Sequence, residues 1–197
     1  MEKNPTTSPI TPMYKICVSG AADTSHCGEA AFKKAIEIGK EIVRHKAVLV
    51  DGATTGFPLW AAKGAKEEGG IVIGFSPAVS EKEHERVYKL PTENHDLIVY
   101  TGFDYSGRNL LLTRAADAVV VGCGRLGTLN EFTIAFEDGK PIGVLEDEGW
   151  ETDEIIKMII AKAHRGHGKM VFNSDPKKLL DELVLLIAKD KNGGHSA

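Results

Sequence analysis

The stretch AVVVGCGRLGTLNE, from Ala118 to Glu131, places four apolar residues ahead of a glycine-bearing turn and a helical pattern. A short Val-rich run that ends in such a turn is typical of a strand buried on both faces. Similar apolar runs occur at residues 14–19, 47–50, 71–75, 97–100 and 142–145. Strands of this kind belong to parallel sheets that are covered by helices.

Amphipathic patterns separate these runs and predict helices over residues 28–45, 56–68, 107–116, 128–138, 152–163 and 176–189. Regular alternation of strands and helices implies right-handed crossovers. We therefore expect an α/β fold, with a Rossmann-like, doubly wound parallel sheet and helices on both faces. Residues 76–95 form one long non-periodic stretch, which fits either a lid or binding loop or a short helix near residues 81–87.

The composition indicates one ordinary domain, because 197 residues with 42% hydrophobic residues can bury a single core. We expect this domain to span residues 14–190, between a flexible amino-terminal arm (1–13) and a flexible tail (191–197). The formal net charge of −4 gives no general attraction to nucleic acid or to anionic membranes. With no apolar leader and no long apolar span in the sequence, we expect a cytoplasmic protein.

The cysteines and histidines show no metal-binding spacing. Cys17, Cys27 and Cys123 lack the short paired spacing of structural zinc sites or disulfide frameworks, so we expect thiols in a reducing compartment. His164 and His167 lie near glycine and arginine without acidic or cysteine partners, which favours a solvated turn. The sequence therefore predicts no metal site.

Small and polar residues follow three predicted strands, at the edge of the sheet where parallel folds bind ligands. We name these segments turn 1 (19–23), turn 2 (51–56) and turn 5 (122–128). Glycine lets backbone amides approach a ligand, and the start of the following helix favours an anion, although glycine is also common in tight turns for structural reasons alone. The residues predicted to bind a phosphate or nucleotide are Ser19, Gly20, Gly52, Thr54, Thr55, Gly56, Gly124, Arg125, Gly127 and Thr128.

Two familiar phosphate motifs are absent from the sequence. Turn 1 lacks the second and third glycines of G-x-G-x-x-G, which argues against a standard NAD site. No G-x-x-x-x-G-K-[ST] motif occurs either, which argues against a P-loop.

Two charged residues near these turns have alternative interpretations. Thr128 and Glu131 fit a capping box, in which each side chain would bond the backbone N–H of the other. Alternatively, Glu131 faces the cleft, where a carboxylate beside a phosphate would serve chemistry or a sugar hydroxyl. Arg108 would neutralise a phosphate or orient a carboxylate, or it would simply be solvated.

Residues 123–131 resemble the P-G-G-x-G-T-x-x-E signature of the LONELY GUY-type proteins, also called possible lysine decarboxylases, in the Rossmann-like SLOG superfamily. The Arg-Lys pair that precedes this signature corresponds to Arg108 and Asn109. The resemblance implies hydrolysis of a nucleoside 5'-monophosphate at its N-glycosidic bond, with Arg108 and Glu131 as catalytic residues. It also implies no cofactor, and a homodimer or higher homo-oligomer.

The chain departs from the family pattern in the signature and in the pair, where Cys123 replaces the proline, Arg125 the second glycine, and Asn109 the lysine. Turn 2 departs as well, with Asp51 and Ala53 at glycine positions of the family. Arg125 would either clamp the phosphate or fill part of the pocket. Two functions therefore stay open, a phosphoribohydrolase and a non-catalytic nucleotide sensor or molybdenum-cofactor carrier-like protein. The retained Arg108 and Glu131 favour the enzyme, and the altered glycines favour the carrier or sensor.

Overall fold

The computed structural model describes residues 13–164, 166 and 169–193. The strands are β1 (Lys15–Ser19), β2 (Val48–Asp51), β3 (Val72–Ser76), β4 (Leu97–Tyr100), β5 (Ala118–Val121), β6 (Ile142–Leu145) and β7 (Met170–Asn173). The helices are α1 (Ala30–Arg44), α2 (Phe57–Glu67), α3 (Glu81–Arg86), α4 (Asp104–Ala115), α5 (Leu126–Glu137), α6 (Glu151–Lys162) and α7 (Pro176–Gly193). The seven strands form one parallel sheet in the order β4-β3-β2-β1-β5-β6-β7.

Two apolar clusters cover the two faces of this sheet. Ile16 and Val18 of β1 pack with side chains of α1, α2 and α7. The residue between them, Cys17, packs with side chains of α4, α5 and α6. Because neighbouring strand residues point to opposite faces, both faces need apolar residues, which explains the uninterrupted apolar runs in the sequence. The predicted α/β class with helices on both faces is confirmed.

The structure differs from the sequence prediction at a few elements. Strand β7 was not predicted, since its apolar run, Met170 to Phe172, has only three residues. The short helix α3 settles one alternative for residues 76–95, and Ser80 Oγ caps it by accepting from Glu83 N. Helix α4 begins three residues before its predicted start. Among the described residues, no helix is both long and apolar enough to cross a bilayer.

The predicted flexible ends fall largely outside the described residues. Of the predicted arm (1–13), residues 1–12 lie outside the described residues, and of the predicted tail (191–197), residues 194–197 do. Residues 191–193 continue helix α7. Of the two histidines expected in a solvated turn, His164 is exposed after the end of α6, and His167 lies outside the described residues.

Helices α1 and α2 approach so closely that two glycines are required between them. A Cβ atom at Gly64 would lie 2.0 Å from the carbonyl oxygen of Ile36, and one at Gly39 would lie 1.9 Å from that of Ala61. Carbonyl groups inside a helix cannot move aside as a flexible side chain could. This contact fixes α2, whose first residue follows turn 2.

We expect Gly64→Ala to lower the free energy of unfolding by about 1–3 kcal/mol, because the added methyl group must displace a helix backbone. Urea unfolding followed by circular dichroism measures this change. Gly127→Ala is the matched control, since a Cβ atom at this helical glycine meets nothing within 4 Å. An equal loss in both variants would contradict the close packing of α1 and α2.

Candidate functional site

The turns after β1, β2 and β5 are joined by backbone hydrogen bonds at the centre of the sheet. Gly122 N donates to Ser19 O (2.9 Å), and Ala21 N donates to Cys123 O (2.8 Å). Phe57 N, at the start of α2, donates to Ala21 O (2.9 Å). The strand order reverses between β1 and β5, and open parallel sheets bind ligands beyond such a reversal.

A cleft of about 350 Å³ opens at this position. Its volume lies within the range of about 300–1,000 Å³ that is usual for small-molecule sites. The structure therefore brings both predicted charged residues and parts of all three turns to one cleft. The predicted site residues that line it are Gly20, Gly52, Thr54, Arg108, Arg125, Gly127, Thr128 and Glu131.

Three other predicted site residues contact neighbouring segments of the chain and lie outside the cleft lining. Thr55 Oγ1 donates to Ala22 O (3.1 Å). Gly56 has a φ of 72°, and a Cβ atom there would lie 2.3 Å from Ala21 O. The amide of Gly124, predicted to hold phosphate, instead donates to Thr152 Oγ1 (2.8 Å). These residues shape the cleft indirectly.

Glu131 carries a buried carboxylate that three side chains contact. Ser19, the remaining predicted residue, donates its hydroxyl to Oε2, and Arg108 Nη1 lies 3.4 Å from Oε1. The side-chain amide of Asn109, with its nitrogen turned toward the carboxylate, donates to Oε1 at 3.0 Å. Burial raises the pKa of Glu131, while the Arg108 charge and the Ser19 hydrogen bond act in the opposite direction.

The start of helix α5 presents free backbone amides to the cleft. The helix begins at Leu126, and Arg125, the residue before it, makes no capping bond with its side chain. The first amides of a helix have no acceptor within it, and Gly127 and Thr128 lie in this part of the cleft wall. The capping box is wrong because the helix begins two residues before Thr128. A helix start of this kind favours an anion.

Arg108 lines the cleft and has one buried donor without a partner. Arg108 as a whole is 5% exposed, and its Nε atom is buried without a hydrogen-bond partner. Its guanidinium group passes over Gly52, where a Cβ atom would lie only 1.9 Å from Nη1. Tyr105, one turn earlier on α4, places its ring 5.9 Å from the guanidinium carbon. The absence of a side chain at Gly52 is therefore what allows Arg108 to lie here.

Arg125 lies at the rim and leaves the cleft open. Its Nη1 is 3.2 Å from Asp23 Oδ2 in turn 1, and its Nε donates to His26 Nδ1 at 3.3 Å. A third, longer contact of 3.5 Å joins Nη2 to Ser25 Oγ. The side chain is about half exposed and bridges turn 5 to the segment after turn 1.

Several cleft residues were missed in the sequence. Asp23 and Tyr105 could have been found, since one belongs to turn 1 and the other lies three positions before Arg108. Asn109 was noted only as a departure from the family pair, although an amide beside Arg108 is a suitable donor for a carboxylate. The additional lining residues are Val18, Ala21, Ala22, Asp23, Pro58, Tyr105 and Asn109.

Residues 13–180 match the SLOG cluster4 family. The chain belongs to this family. Over 132 residues it is 28% identical to an uncharacterized protein of Archaeoglobus fulgidus, a match that covers 67% of this chain and 82% of that protein. Membership confirms the expected SLOG superfamily, and the LONELY GUY-type resemblance stays a prediction.

Solved structures share the fold of this SLOG cluster4 protein. The molybdenum cofactor carrier protein of Chlamydomonas reinhardtii is 26% identical, with a TM-score of 0.71 over 90% of this chain and 100% of that one. DNA processing protein A of Streptococcus pneumoniae is 17% identical, with a TM-score of 0.64 over 86% of this chain and 62% of that one. The second likeness shows the fold alone, and the exclusion of nucleic acid stays a prediction.

The SLOG cluster4 protein contains a disulfide bond beside the cleft, between Cys27 and Cys123. The expectation of free thiols is wrong for these two cysteines. They are 96 positions apart in the chain, but their segments follow the neighbouring strands β1 and β5. Only Cys17 is free among the described cysteines, and its burial raises the pKa of its thiol.

A buried ion pair supports turn 2 of the SLOG cluster4 protein. His95 Nε2 lies 2.8 Å from Asp51 Oδ1, and both side chains are fully buried. The same oxygen accepts the backbone N–H of Ala53 (2.8 Å). Burial alone would lower the pKa of His95, but the charge of Asp51 and the hydrogen bond to it outweigh burial and raise the pKa.

We expect this pair to make stability depend on pH. The raised pKa of folded His95 means that its contribution is fully present below the unfolded value, near about 6.5, and is lost as the pH rises through the folded value. Urea unfolding between acidic and alkaline pH should therefore show a stability loss with rising pH that is smaller in His95→Gln. Identical pH profiles for the two proteins would contradict a charged His95.

Proposed function

We propose that this protein binds a nucleoside 5'-monophosphate in the cleft and hydrolyses its N-glycosidic bond, releasing the free base and ribose 5-phosphate. The observation that carries this proposal is that the buried carboxylate of Glu131 and the uncapped start of helix α5 line the same cleft. The amides of Gly127 and Thr128 suit the phosphate, because helix starts stabilise anions. Glu131 follows one helical turn later, about 5 Å along the axis, which leaves room for the ribose between them.

The reaction develops positive charge on the ribose, and Glu131 is suited to meet it. The C1'–N bond breaks with its electron pair leaving on the base, and the oxygen of a water molecule forms the new bond to C1'. One proton of that water reaches Glu131 and then solvent, and the departing base takes up a proton. A carboxylate in a site shielded from water stabilises an oxocarbenium-like centre more strongly than one in bulk solvent.

The residues around Glu131 fix the orientation of its carboxylate and affect its pKa, as catalysis would require. Ser19, Arg108 and Asn109 hold its two oxygens in one orientation, which reduces the reorganisation needed during the reaction. Burial raises its pKa and so favours proton uptake during the attack of water. Arg108 lines the cleft beside Glu131, so its positive charge is suited to pair with an anionic ligand.

We expect release of free base from AMP, GMP, CMP or UMP, detected by liquid chromatography. Glu131→Gln should reduce the rate at least about 100-fold, because proton transfer and charge stabilisation are both lost. Glu154→Gln, which alters an exposed carboxylate of α6, is the matched control and should retain the rate. Full activity of Glu131→Gln would contradict the catalytic role of this carboxylate.

A carrier function is the second candidate, and one comparison favours it. The Chlamydomonas reinhardtii protein that shares 26% identity with this chain is a molybdenum cofactor carrier. Arg125 at the rim, where the LONELY GUY-type signature has glycine, also suits retention of an anionic ligand by an added charge. Tight binding of the monophosphates or of molybdenum cofactor, without base release by the unaltered protein, would favour this candidate.

A side chain at position 127 tests the binding site under both candidates. We expect Gly127→Leu to weaken binding of the ligand at least tenfold, because the added side chain occupies the space in front of the helix start. The protein should keep its thermal stability, since nothing lies within 4 Å of a Cβ atom there. Isothermal titration calorimetry measures the affinity, and unchanged binding by a folded variant would contradict the proposed phosphate position.

The oligomeric state and the location belong to the same proposal. The LONELY GUY-type resemblance implies a homodimer or a higher homo-oligomer, which light scattering after size-exclusion chromatography would measure. A cytoplasmic location fits an intracellular monophosphate as the ligand, and cell fractionation would test it.

A further inference from the structure

Three metal-ligating side chains meet beside the cleft, between turn 1 and turn 5. His26 Nε2 lies 3.6 Å from the sulfur of Cys27 and 3.6 Å from the sulfur of Cys123. The two cysteines are buried, whereas His26 is exposed, so the group is open to solvent on one side. In the part of the chain that the structure describes, this is the only group of three or more histidine, cysteine or acidic side chains so arranged.

We infer that reduction of the Cys27–Cys123 disulfide creates a binding site for a thiophilic divalent cation such as Zn²⁺, with His26 as the third ligand. Tetrahedral zinc binds sulfur at about 2.3 Å and imidazole nitrogen at about 2.0–2.1 Å, which places nitrogen and sulfur about 3.6 Å apart. His26 already stands at this separation from both sulfurs. Only the two sulfurs must move apart when their bond is broken.

A dithiol can serve as the reductant that converts the disulfide into two thiols. The dithiol supplies two electrons and two protons to the Cys27–Cys123 bond and becomes a disulfide itself. The cation then binds the two thiolates, and both thiol protons pass to solvent. Three protein ligands leave a fourth position for water or an added ligand, as in zinc sites that remain open.

One existing hydrogen bond must change for the cation to bind. Arg125 Nε donates to His26 Nδ1 (3.3 Å), so the ring proton now lies on Nε2, the atom that faces the sulfurs. Coordination through Nε2 moves this proton to Nδ1 and releases the contact with Arg125. The bond is long and lies at an exposed position, and Arg125 retains its ion pair with Asp23. The site and the rim of the cleft are therefore connected.

Cobalt titration of the full chain tests the site directly. The protein is reduced with a dithiol, desalted without oxygen, assayed for free thiols and titrated with Co²⁺. We expect one equivalent to bind, with thiolate-to-cobalt charge-transfer absorption and the intense visible bands of a tetrahedral ion, and Zn²⁺ should displace it. Protein with the disulfide intact should show neither the charge-transfer absorption nor the visible bands of tetrahedral Co²⁺.

Variants separate the three ligands from other thiols. Cys27→Ser and Cys123→Ser should each lose most of the charge-transfer absorption, and His26→Asn should weaken Co²⁺ binding at least tenfold. Cys17→Ala is the matched control and should bind normally, because Cys17 lies inside the core under the opposite helix layer. Circular dichroism verifies folding of each variant.

Two results would overturn the site. One is the absence of charge-transfer absorption in reduced protein whose thiols have been counted. The other is unchanged Co²⁺ affinity in His26→Asn, a variant of an exposed residue that does not threaten the core. If a serine variant fails to fold, the comparison of reduced with oxidised protein and the His26→Asn result still decide the question. None of these readouts depends on a ligand in the cleft.

Discussion

A carboxylate removed from water needs hydrogen bonds from the protein, and Glu131 obtains them from two other elements of the fold. Ser19 ends β1, while Arg108 and Asn109 lie on α4. An isolated buried charge would be strongly unfavourable, so these contacts must form together with the helices that carry them. The centre of the sheet, α4 and α5 are therefore held in one arrangement around a single side chain.

The cleft is lined by two kinds of surface. Turns 1, 2 and 5 are joined by backbone hydrogen bonds and present small residues and amides. Helix α4 contributes the long side chains Tyr105 and Arg108. The turns suit an anion through their backbone amides, and α4 supplies a positive charge and an aromatic ring. The two functions proposed for the cleft use this same division.

Much of the fold could be predicted from the sequence because its signals are local. A strand such as β5 is buried on both faces, and its apolar run is visible without knowledge of its neighbours. Strand β7 gives a weaker signal, because its apolar run of three residues is short and ends in Asn173. The predicted start of α5 was two residues late, because Thr128 and Glu131 match a capping pattern. The long-range contacts of Glu131 cannot be seen in the sequence.

The site could be predicted in part for the same reason. Positions that follow strands reach the carboxyl edge by topology, so Arg108, Gly127, Thr128 and Glu131 were found from the chain alone. Whether a glycine turn faces the ligand or another turn depends on contacts between distant segments, as at Gly56. The Cys27–Cys123 bond also depends on the adjacency of β1 and β5, which spacing in the sequence does not reveal.

Gly52 shows how a residue with no side chain can belong to the charge arrangement of a site. The guanidinium of Arg108 occupies the volume that a methyl group at position 52 would take. Enlarging one residue and truncating the other would therefore remove the same placement of charge, and their energetic effects would overlap instead of adding. Positions 52 and 108, far apart in the chain, are therefore expected to be energetically coupled.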